Sequence, residues 1–189
     1  NFTWAKWVTP SRDLINAFKK EGDEVRFKES VVYYDCNWSN YYPSDNYPFM
    51  YKCRSANSSI IKYRYADVLL LKAEALIMQD TPDLDGAADI IDEVRERAKL
   101  GALSASTRAS KEAMLNALLK ERRLELAFEG QRWFDLVRLD KVEEVMNAVY
   151  AKDSGRKAQV YAFDKTSYRL PIPQSVIDAN DKIHQNPGY

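Results

Sequence analysis

Residues 33–51 carry side chains that are well suited to holding a small ligand. Eight of these nineteen residues are aromatic, and asparagine, serine, aspartate and proline lie between them. A sugar ring has an apolar face of C–H groups and a rim of hydroxyls, so a site for it combines flat aromatic rings with amides or carboxylates. The predicted ligand-binding residues are the aromatic platforms Trp38, Tyr41, Tyr42 and Tyr47 and the rim partners Asn37, Asn40 and Asp45.

The same segment is predicted to be an irregular excursion from the protein domain. Pro43 and Pro48 remove backbone donors and, with the neighbouring asparagines, interrupt any helical period. Aromatic residues in such a loop also serve simply to pin the loop to the domain, and the sequence leaves this alternative open. The ligand hypothesis depends on whether the rings face outward.

The two cysteines, Cys36 and Cys53, are separated by sixteen residues of this loop-like composition. Two cysteines are too few to enclose a metal ion. A disulfide between them would contribute about 3 kcal/mol in an oxidising compartment, and two free thiols are the equally open alternative.

A second chemically distinctive stretch, residues 120–138, mixes apolar residues with charges that cannot all face water. Arg122 lies within an apolar stripe at helical spacing, which predicts a central helix. An arginine in that position is expected to be buried and paired with a carboxylate, Glu74 or Glu125 being the candidates. The neighbouring charges are interpreted as a structural ion-pair network, with a catalytic carboxylate pair as the alternative. They are Glu121, Glu125, Glu129, Arg132 and Asp135.

No arrangement of residues points to catalysis, to a cofactor or to a metal site. His184 is the only histidine and has no cysteine near it in the sequence, so it forms no triad or zinc site. The six glycines include no phosphate-binding loop. We therefore expect a protein that is not an enzyme, with no cofactor, no metal and no catalytic residues.

Charge and hydropathy argue against two further classes of partner. Twenty-eight basic residues balance twenty-eight acidic ones and the two signs are interleaved, so the basic patch expected of a nucleic-acid-binding protein is missing. No apolar run approaches the length needed to span a bilayer. We expect a single domain over residues 1–189 and, because the sequence begins abruptly at Asn1, a fragment of a longer chain.

Helical periodicity dominates the remaining sequence. The clearest signals cover residues 63–79 and 84–99, whose small alanines and connecting turn predict an antiparallel hairpin of the kind that stacks in tetratricopeptide arrays. The other predicted elements are a helix from near Ser11 to Gly22, a strand over 29–34, a loop over 101–110, a helix capped by Ser110, a left-handed Gly130 followed by a helix over 131–138, a helix ending at Tyr150, a polar turn over 152–157, an extended stretch over 161–173 and a last helical turn over 173–179.

Several segments follow one another in a distinctive order along the chain. They are TPSRDLINAF, GDEVRF, YRYADVLLLKAEAL, IIDEVRERA, LLKERRLELAFEGQRWFDLVR, LPIPQSVIDAN and the closing QNPGY. Taken together they resemble the SusD/RagB family of outer-membrane nutrient-binding lipoproteins. The resemblance implies a mainly α fold of tetratricopeptide-like helical hairpins with long loop excursions, of which this chain is the C-terminal portion. It assigns to helix packing the residues Ala73, Glu74, Arg122, Arg123, Glu125, Gly130, Trp133 and Asp135.

The resemblance also implies a function. Members of the family are similar in covering a TonB-dependent SusC-like transporter and in capturing oligosaccharides without cleaving them. An oligosaccharide ligand, a SusC-like partner and a place on the extracellular face of the outer membrane, reached through a lipid anchor absent from this chain, are the resulting expectations. Some relatives serve peptides or other nutrients, which is the first alternative. An intracellular helical-repeat adaptor, suggested by the periodicity alone, is the second.

Overall fold

A computed structural model describes residues 8–52, 61–152 and 162–189 of the chain. The fold is mainly helical, as predicted. Among these described residues, no helix has the length and hydropathy that a membrane span requires. The helices are α1 (Arg12–Glu21), α2 (Glu24–Ser30), α3 (Tyr65–Met78), α4 (Leu84–Arg97), α5 (Ala105–Arg108), α6 (Lys111–Glu125), α7 (Arg132–Arg138), α8 (Val142–Lys152) and α9 (Gln174–Ala179), and the strands are β1 (Val31–Tyr34) and β2 (Tyr47–Met50).

The chain divides into two compact units, Asn1–Arg132 and Trp133–Tyr189. The first unit holds α1 to α6 and both strands, and the second holds α8, α9 and all but the first residue of α7. The expectation of one domain over residues 1–189 stays a prediction.

Helix α1 begins and ends at the residues that the sequence indicates. The Ser11 hydroxyl accepts a hydrogen bond from the Leu14 N–H at 3.1 Å, which satisfies one of the donors left over at a helix start. Gly22 follows the last turn with a φ of 71°, a left-handed conformation that glycine adopts at little cost. Ile15 and Phe18 lie on the inner face and are buried, as an amphipathic helix requires.

The strand predicted over residues 29–34 is confirmed only from Val31 onward, and the residues before it form α2 instead. Asp23 caps α2 by accepting from the Arg26 N–H at 3.1 Å. Arg26 in turn donates to Glu121, 95 positions further along the chain, at 2.6 Å. Because such a contact leaves no trace in the local sequence pattern, periodicity alone does not reveal this helix.

Strand β2 lies inside the segment that the sequence predicts to be irregular. It pairs antiparallel with β1, from Val31 opposite Met50 to Tyr34 opposite Tyr47. A proline within this pair, Pro48, is tolerated because each strand of a two-stranded sheet has an edge that needs no ladder hydrogen bond. The excursion is therefore a loop, residues 35–46, closed at its base by a two-stranded ribbon.

Helices α3 and α4 form the predicted antiparallel hairpin, with both ends within two residues of the predicted bounds. Asp83 caps α4 by accepting from the Gly86 N–H at 2.9 Å. The alanines at the contact, Ala73, Ala87 and Ala88, are fully buried and let the two backbones approach closely. The same core cluster includes Met114 and Leu118 of α6, so α6 packs on the hairpin as a third helix.

Helix α6 is the central helix that the apolar stripe predicts. It begins at the Ser110 cap, whose hydroxyl accepts from the Ala113 N–H at 3.2 Å. The helix ends at Glu125, and Gly130 has the predicted left-handed conformation, with a φ of 79°. The loop predicted before it contains the short helix α5, which Ser104 caps by accepting from Thr107 at 3.2 Å.

Replacing Ser110 with alanine should lower the free energy of unfolding by about 1 kcal/mol, because the cap hydrogen bond at the start of α6 is lost. The measurement is chemical denaturation monitored by circular dichroism. Ser110→Asp is the matched control, since its side chain retains an acceptor and adds favourable charge at the helix start. A Ser110→Ala midpoint equal to that of the parent would show that the cap does not stabilise α6.

The second unit has its own buried residues and a tail tied to the preceding segment. Leu136 and Val142 are buried. The Asn147 side chain exchanges hydrogen bonds with the Phe163 backbone, both at 2.9 Å. Gln185 does the same with Ile172, at 2.8 and 2.9 Å, which holds the C-terminal segment in place.

The predicted helix to Tyr150 is confirmed as α8, and the last helical turn as α9. The stretch predicted to be extended contains a 3-10 turn at Lys165–Tyr168. Tyr161 and most of the polar turn predicted over residues 152–157 lie outside the described residues.

Candidate functional site

The loop of residues 35–46 is fixed at its base by backbone hydrogen bonds. The Cys36 N–H donates to the Ser44 carbonyl at 2.7 Å, which draws the two ends of the loop together. At the far end of the ribbon, Met50 donates to the Val8 carbonyl and Tyr51 to the Ser30 carbonyl, both at 2.8 Å. Backbone hydrogen bonds therefore close the loop at its base and join its supporting ribbon to Val8 and Ser30.

A small aromatic core lies beneath the loop, and one of the predicted platforms belongs to it. Tyr47 is 2% exposed, and Phe49 is fully buried. The Tyr47 ring lies 5.0 Å from that of Phe49 and 5.6 Å from that of Tyr42, centroid to centroid. Its hydroxyl lies within hydrogen-bonding distance of the Ser39 hydroxyl, at 2.8 Å. In this arrangement the Tyr47 ring is covered by protein, and the placement corrects its assignment as an exposed platform.

Above this core lies an open cleft of about 960 Å³. Trp38 lines it and is 60% exposed. Its ring contacts the core on one side, at 5.9 Å from the Tyr47 ring and 6.1 Å from the Phe49 ring. The indole is thus both supported from below and accessible to a ligand. The other residues lining the cleft are Arg12, Cys36, Asn37, Ser39, Asn40, Tyr41, Tyr42, Pro43 and Ser44.

Tyr41 and Tyr42 form a half-buried pair at one side of the cleft. Their rings meet edge to face with centroids 4.9 Å apart, a favourable aromatic geometry. The Tyr42 hydroxyl donates to the Pro10 carbonyl at 3.0 Å, which ties the pair to the start of α1. The pair therefore both anchors the loop to the residues before α1 and lines the cleft.

Arg12 is a residue of the cleft that the sequence analysis missed. Its guanidinium carbon lies 3.9 Å from the centroid of the Tyr41 ring and 4.8 Å from that of Tyr42, within cation–π distance. The guanidinium also donates to the Tyr41 carbonyl. Arg12 belongs to α1, 29 positions before Tyr41, so no local spacing associates the two residues.

The structure places the predicted rim partners in two different hollows. Asn37 and Asn40 are exposed and line the cleft together with Trp38. Asp45 is exposed but lines an adjoining hollow of about 480 Å³, which Asp35 and Asn37 also line. Five of the seven predicted residues therefore meet in one cleft, and their binding of a ligand stays a prediction.

The possible disulfide stays untested. Cys36, within the loop, is buried, and Cys53 lies outside the described residues. Within the described ranges, no group of three histidine, cysteine, aspartate or glutamate side chains is arranged to hold a metal ion. His184 is exposed.

The charges of α6 form the structural ion-pair network that the sequence favours. Glu125 accepts from Arg26 at 3.1 Å and from Arg64 at 2.6 Å, and it also pairs with Arg97. Glu121 accepts from Arg26 at 2.6 Å and Arg95 at 3.1 Å. These cations come from α2, α4 and the segment before α3, so the network fastens α6 to its neighbours.

The ionisation of this network argues against a catalytic carboxylate pair. Burial by itself raises the pKa of Glu125, but hydrogen bonds from Arg64 and Arg26 and the charges of Arg64 and Arg97 outweigh it and hold the pKa below its ordinary value. Burial likewise lowers the pKa of Arg26, and the charge of Glu121 and the neighbouring carboxylates more than reverse this. A general acid at neutral pH needs a carboxyl whose pKa is raised instead.

Arg122 is buried, as predicted, with 2% of its surface exposed. Its Nη1 donates to Asp67 Oδ1 at 2.8 Å, and Asp67 is buried as well. Asp67 lies in the first turn of α3 and was not among the carboxylates that the sequence suggests. Only the packing of α6 against α3 brings this aspartate to the arginine.

Comparison with known proteins identifies relatives across most of the chain. The sequence model of the SusD family matches residues 43–189. SusD-like protein P2 of Formosa agariphila is 33% identical over 142 residues, which cover 72% of this chain and 27% of that protein.

Solved structures are similar over nearly the whole chain. A SusD superfamily protein of Bacteroides vulgatus superimposes with a TM-score of 0.68 at 25% identity, covering 96% of this chain and 44% of that one. A laminarin-binding SusD-like protein gives a TM-score of 0.62 at 26% identity, covering 96% of this chain and 40% of that one. The chain thus spans between about a quarter and a half of the length of these relatives.

Proposed function

This chain belongs to the SusD family, and on that premise we propose that it binds oligosaccharides, without cleaving them, in the cleft beside Trp38. The observation that carries the proposal is the placement of the Trp38 indole, which is 60% exposed and supported from beneath by the rings of Tyr47 and Phe49. An exposed aromatic ring of this kind stacks on the C–H face of a sugar.

The rest of the cleft suits the polar rim of the same sugar. The side-chain amides of Asn37 and Asn40 offer both donors and acceptors to hydroxyl groups. Tyr41 and Tyr42 add aromatic surface to the same cleft. Because the cleft is open, much of the ligand stays in contact with water, and we expect weak binding of a chain rather than tight binding of one ring.

A capture role without hydrolysis is consistent with the chemistry of the described carboxylates. A glycosidase uses two carboxyl groups on opposite sides of the scissile bond, one of them with a raised pKa. Glu121 and Glu125, the buried acids of α6, are instead each paired with arginines. A structurally similar SusD-like protein binds laminarin, a glycan, which supports a glycan as the ligand here.

The partner and the location are part of the proposal. By its family, the protein acts at the outer face of the outer membrane and passes its ligand to a TonB-dependent SusC-like transporter. The proposed attachment is through a lipid anchor. Co-purification with such a transporter from membrane extracts tests this part separately from sugar binding.

Trp38→Ala should weaken glycan binding by at least about tenfold, equivalent to about 1.4 kcal/mol. Stacking on an aromatic ring contributes about 0.5–1.5 kcal/mol beyond the area that it buries, and the substitution removes both terms. The measurement is a glycan-array screen of the protein, followed by titration calorimetry with the best ligand. Phe134→Ala is the matched control, because Phe134 is 64% exposed and lies far from residues 35–46 in the sequence.

The outcomes separate the function from the site. Binding that is lost with Trp38→Ala and kept with Phe134→Ala supports both. Binding that survives Trp38→Ala keeps a glycan-binding function and moves its site elsewhere. Competition by oligopeptides, with no sugar bound on the array, would replace the glycan proposal with peptide capture on the same scaffold.

A further inference from the structure

We propose that the oligosaccharide bound in this cleft is acidic, and that its carboxylate or sulfate group lies against Arg12 and away from Asp35 and Asp45. The inference rests on the proposed function and specifies the charge of its ligand. It is carried by the distribution of formal charge around the loop of residues 35–46.

Among the described residues that line the cleft, Arg12 alone carries a formal charge at neutral pH. The remaining lining residues are aromatic, amide, hydroxyl, thiol or proline side chains. The described lining thus gives one wall of the cleft a positive charge and no negative one. A charge-assisted hydrogen bond from an arginine to a carboxylate or sulfate is about twice as strong as a neutral one, so this wall discriminates by ligand charge.

The Arg12 guanidinium is also oriented before any ligand arrives. Its guanidinium carbon lies 3.9 Å from the centroid of the Tyr41 ring and 4.8 Å from that of the nearly perpendicular Tyr42 ring, and the guanidinium donates to the Tyr41 carbonyl. Arginine presents its donors in a rigid planar fork that matches carboxylate and sulfate oxygens. Holding the fork in place beforehand reduces the ordering that binding has to impose on this long side chain.

The opposite end of the loop carries charge of the other sign. Asp35 and Asp45 are exposed and line the adjoining hollow, which shares Cys36, Asn37 and Ser44 with the cleft. An acidic sugar residue is repelled at this end and attracted at the Arg12 end. The two ends together give an acidic chain a preferred direction along the cleft, which a neutral chain would lack.

The test compares acidic oligosaccharides with neutral counterparts of the same backbone. One pair is a uronic-acid oligosaccharide and its carboxyl-reduced form, and another is a sulfated oligosaccharide and its desulfated form. Each pair is titrated into the protein by calorimetry at low and at high salt. We expect the acidic member of one pair to bind more tightly, with an advantage that shrinks as salt screens the charge. Which pair responds distinguishes a carboxylate from a sulfate.

Three variants assign the preference to residues. Arg12→Gln should weaken binding of the acidic ligand about tenfold more than binding of its neutral counterpart, as expected for a lost charge-assisted hydrogen bond. Arg12→Lys should retain a substantial part of the preference, because the charge remains. Asp45→Asn should strengthen acidic binding by about twofold, because an exposed like charge is removed. Near-ultraviolet circular dichroism, which is sensitive to the packing of Trp38 against Tyr47 and Phe49, reports whether each variant keeps the loop intact.

Opposite shifts from Arg12→Gln and Asp45→Asn would support the proposal, since loss of loop structure does not produce them. Neutral ligands that bind as well as acidic ones would overturn it and leave the glycan-binding function standing. An acidic preference that survives Arg12→Gln would overturn the role of Arg12. If Arg12→Gln disrupts the loop, Arg12→Lys and Asp45→Asn still decide the outcome. Binding of neither member of any pair on the array would reject the proposed function itself.

Discussion

Arg122→Ala should lower the free energy of unfolding by about 3–5 kcal/mol, because it leaves a buried carboxylate without its counter-charge. Arg122 and Asp67 are each about 2% exposed, and the Nη1 to Oδ1 distance is 2.8 Å. With the arginine removed, the Asp67 charge remains among the buried residues of α3 and α6. Water cannot reach the charge there without opening the contact between those helices.

The predicted loss measures the cost of leaving one buried charge unpaired. It does not measure how much the intact Arg122–Asp67 pair stabilises the fold. An intact buried ion pair stabilises a fold little, since the cost of removing two charges from water offsets most of their attraction. The variant Arg122→Met with Asp67→Leu, which removes both charges and retains apolar volume, should therefore recover part of the stability lost in Arg122→Ala.

Urea denaturation of the parent and these variants measures the effect directly. Lys28→Ala is the control, because Lys28 pairs with Glu24 at 3.1 Å on the exposed face of α2. Such a surface pair contributes about 0.3–0.5 kcal/mol. If Arg122→Ala unfolds at the parent's midpoint, the Arg122–Asp67 pair is not a buried pair in solution.

The parts of this fold that the sequence predicts are those set by local chemistry. Ser11 and Ser110 stand immediately before an apolar period, and each caps a helix. Gly22 and Gly130 supply the left-handed conformation after a helix because they have no side chain to clash. The hairpin of α3 and α4 follows from 3.6-residue spacing and small residues at the contact.

The parts that the sequence does not predict depend on contacts across long separations. Arg26 of α2 pairs with Glu121, 95 positions away, and Arg122 pairs with Asp67, 55 positions away. Neither partner is marked by spacing, since the chain contains twenty-eight acidic residues. Charge composition therefore predicts that a buried network exists and not which carboxylates form it.

The candidate site divides in the same way. Composition alone locates the loop with Trp38, Asn37 and Asn40. The burial of Tyr47 depends on the pairing of β2 with β1, which fixes the face on which each side chain lies. A segment interpreted as irregular offers no such register. Arg12 enters from a different helix, so only the three-dimensional structure includes it in the cleft.

Glu125→Gln should lower the free energy of unfolding at neutral pH by about 3 kcal/mol, because one charge removed from the centre of a buried network leaves several cations short of a partner. The Glu125 carboxylate accepts from Arg26 at 3.1 Å and Arg64 at 2.6 Å and also pairs with Arg97. Glutamine has the same shape and keeps the backbone carbonyl contacts with Lys52 and Arg64. The loss of unfolding free energy therefore measures the effect of removing the Glu125 charge, since the side-chain volume is unchanged.

This effect should depend on pH with a definite sign. Although burial alone would raise it, the pKa of Glu125 in the folded protein is lowered from its ordinary value of 4.5 by the hydrogen bonds and charges of its arginine partners. The unfolded chain therefore binds a proton at Glu125 more readily than the folded protein does. The stabilisation is complete above about pH 4.5 and is lost as the pH falls through the lower, folded pKa.

Denaturation of the parent and Glu125→Gln across pH 7 to 2.5 isolates Glu125 together with Glu121 and Glu129, the carboxylates that share its arginines. Carboxylates outside this network titrate in both proteins and cancel in the difference. The pKa of Glu21, for example, is also lowered by Lys120 and Arg95, against the effect of its burial, but it contributes equally to both curves. The gap in unfolding free energy should stay constant down to about pH 4.5 and then close, since a protonated Glu125 is as neutral as glutamine. Glu24→Gln, on the exposed pair with Lys28, should show a gap of at most about 0.5 kcal/mol throughout. A gap at Glu125 that widens on acidification would mean that the carboxyl is protonated in the folded protein and that the network is held by something other than its charge.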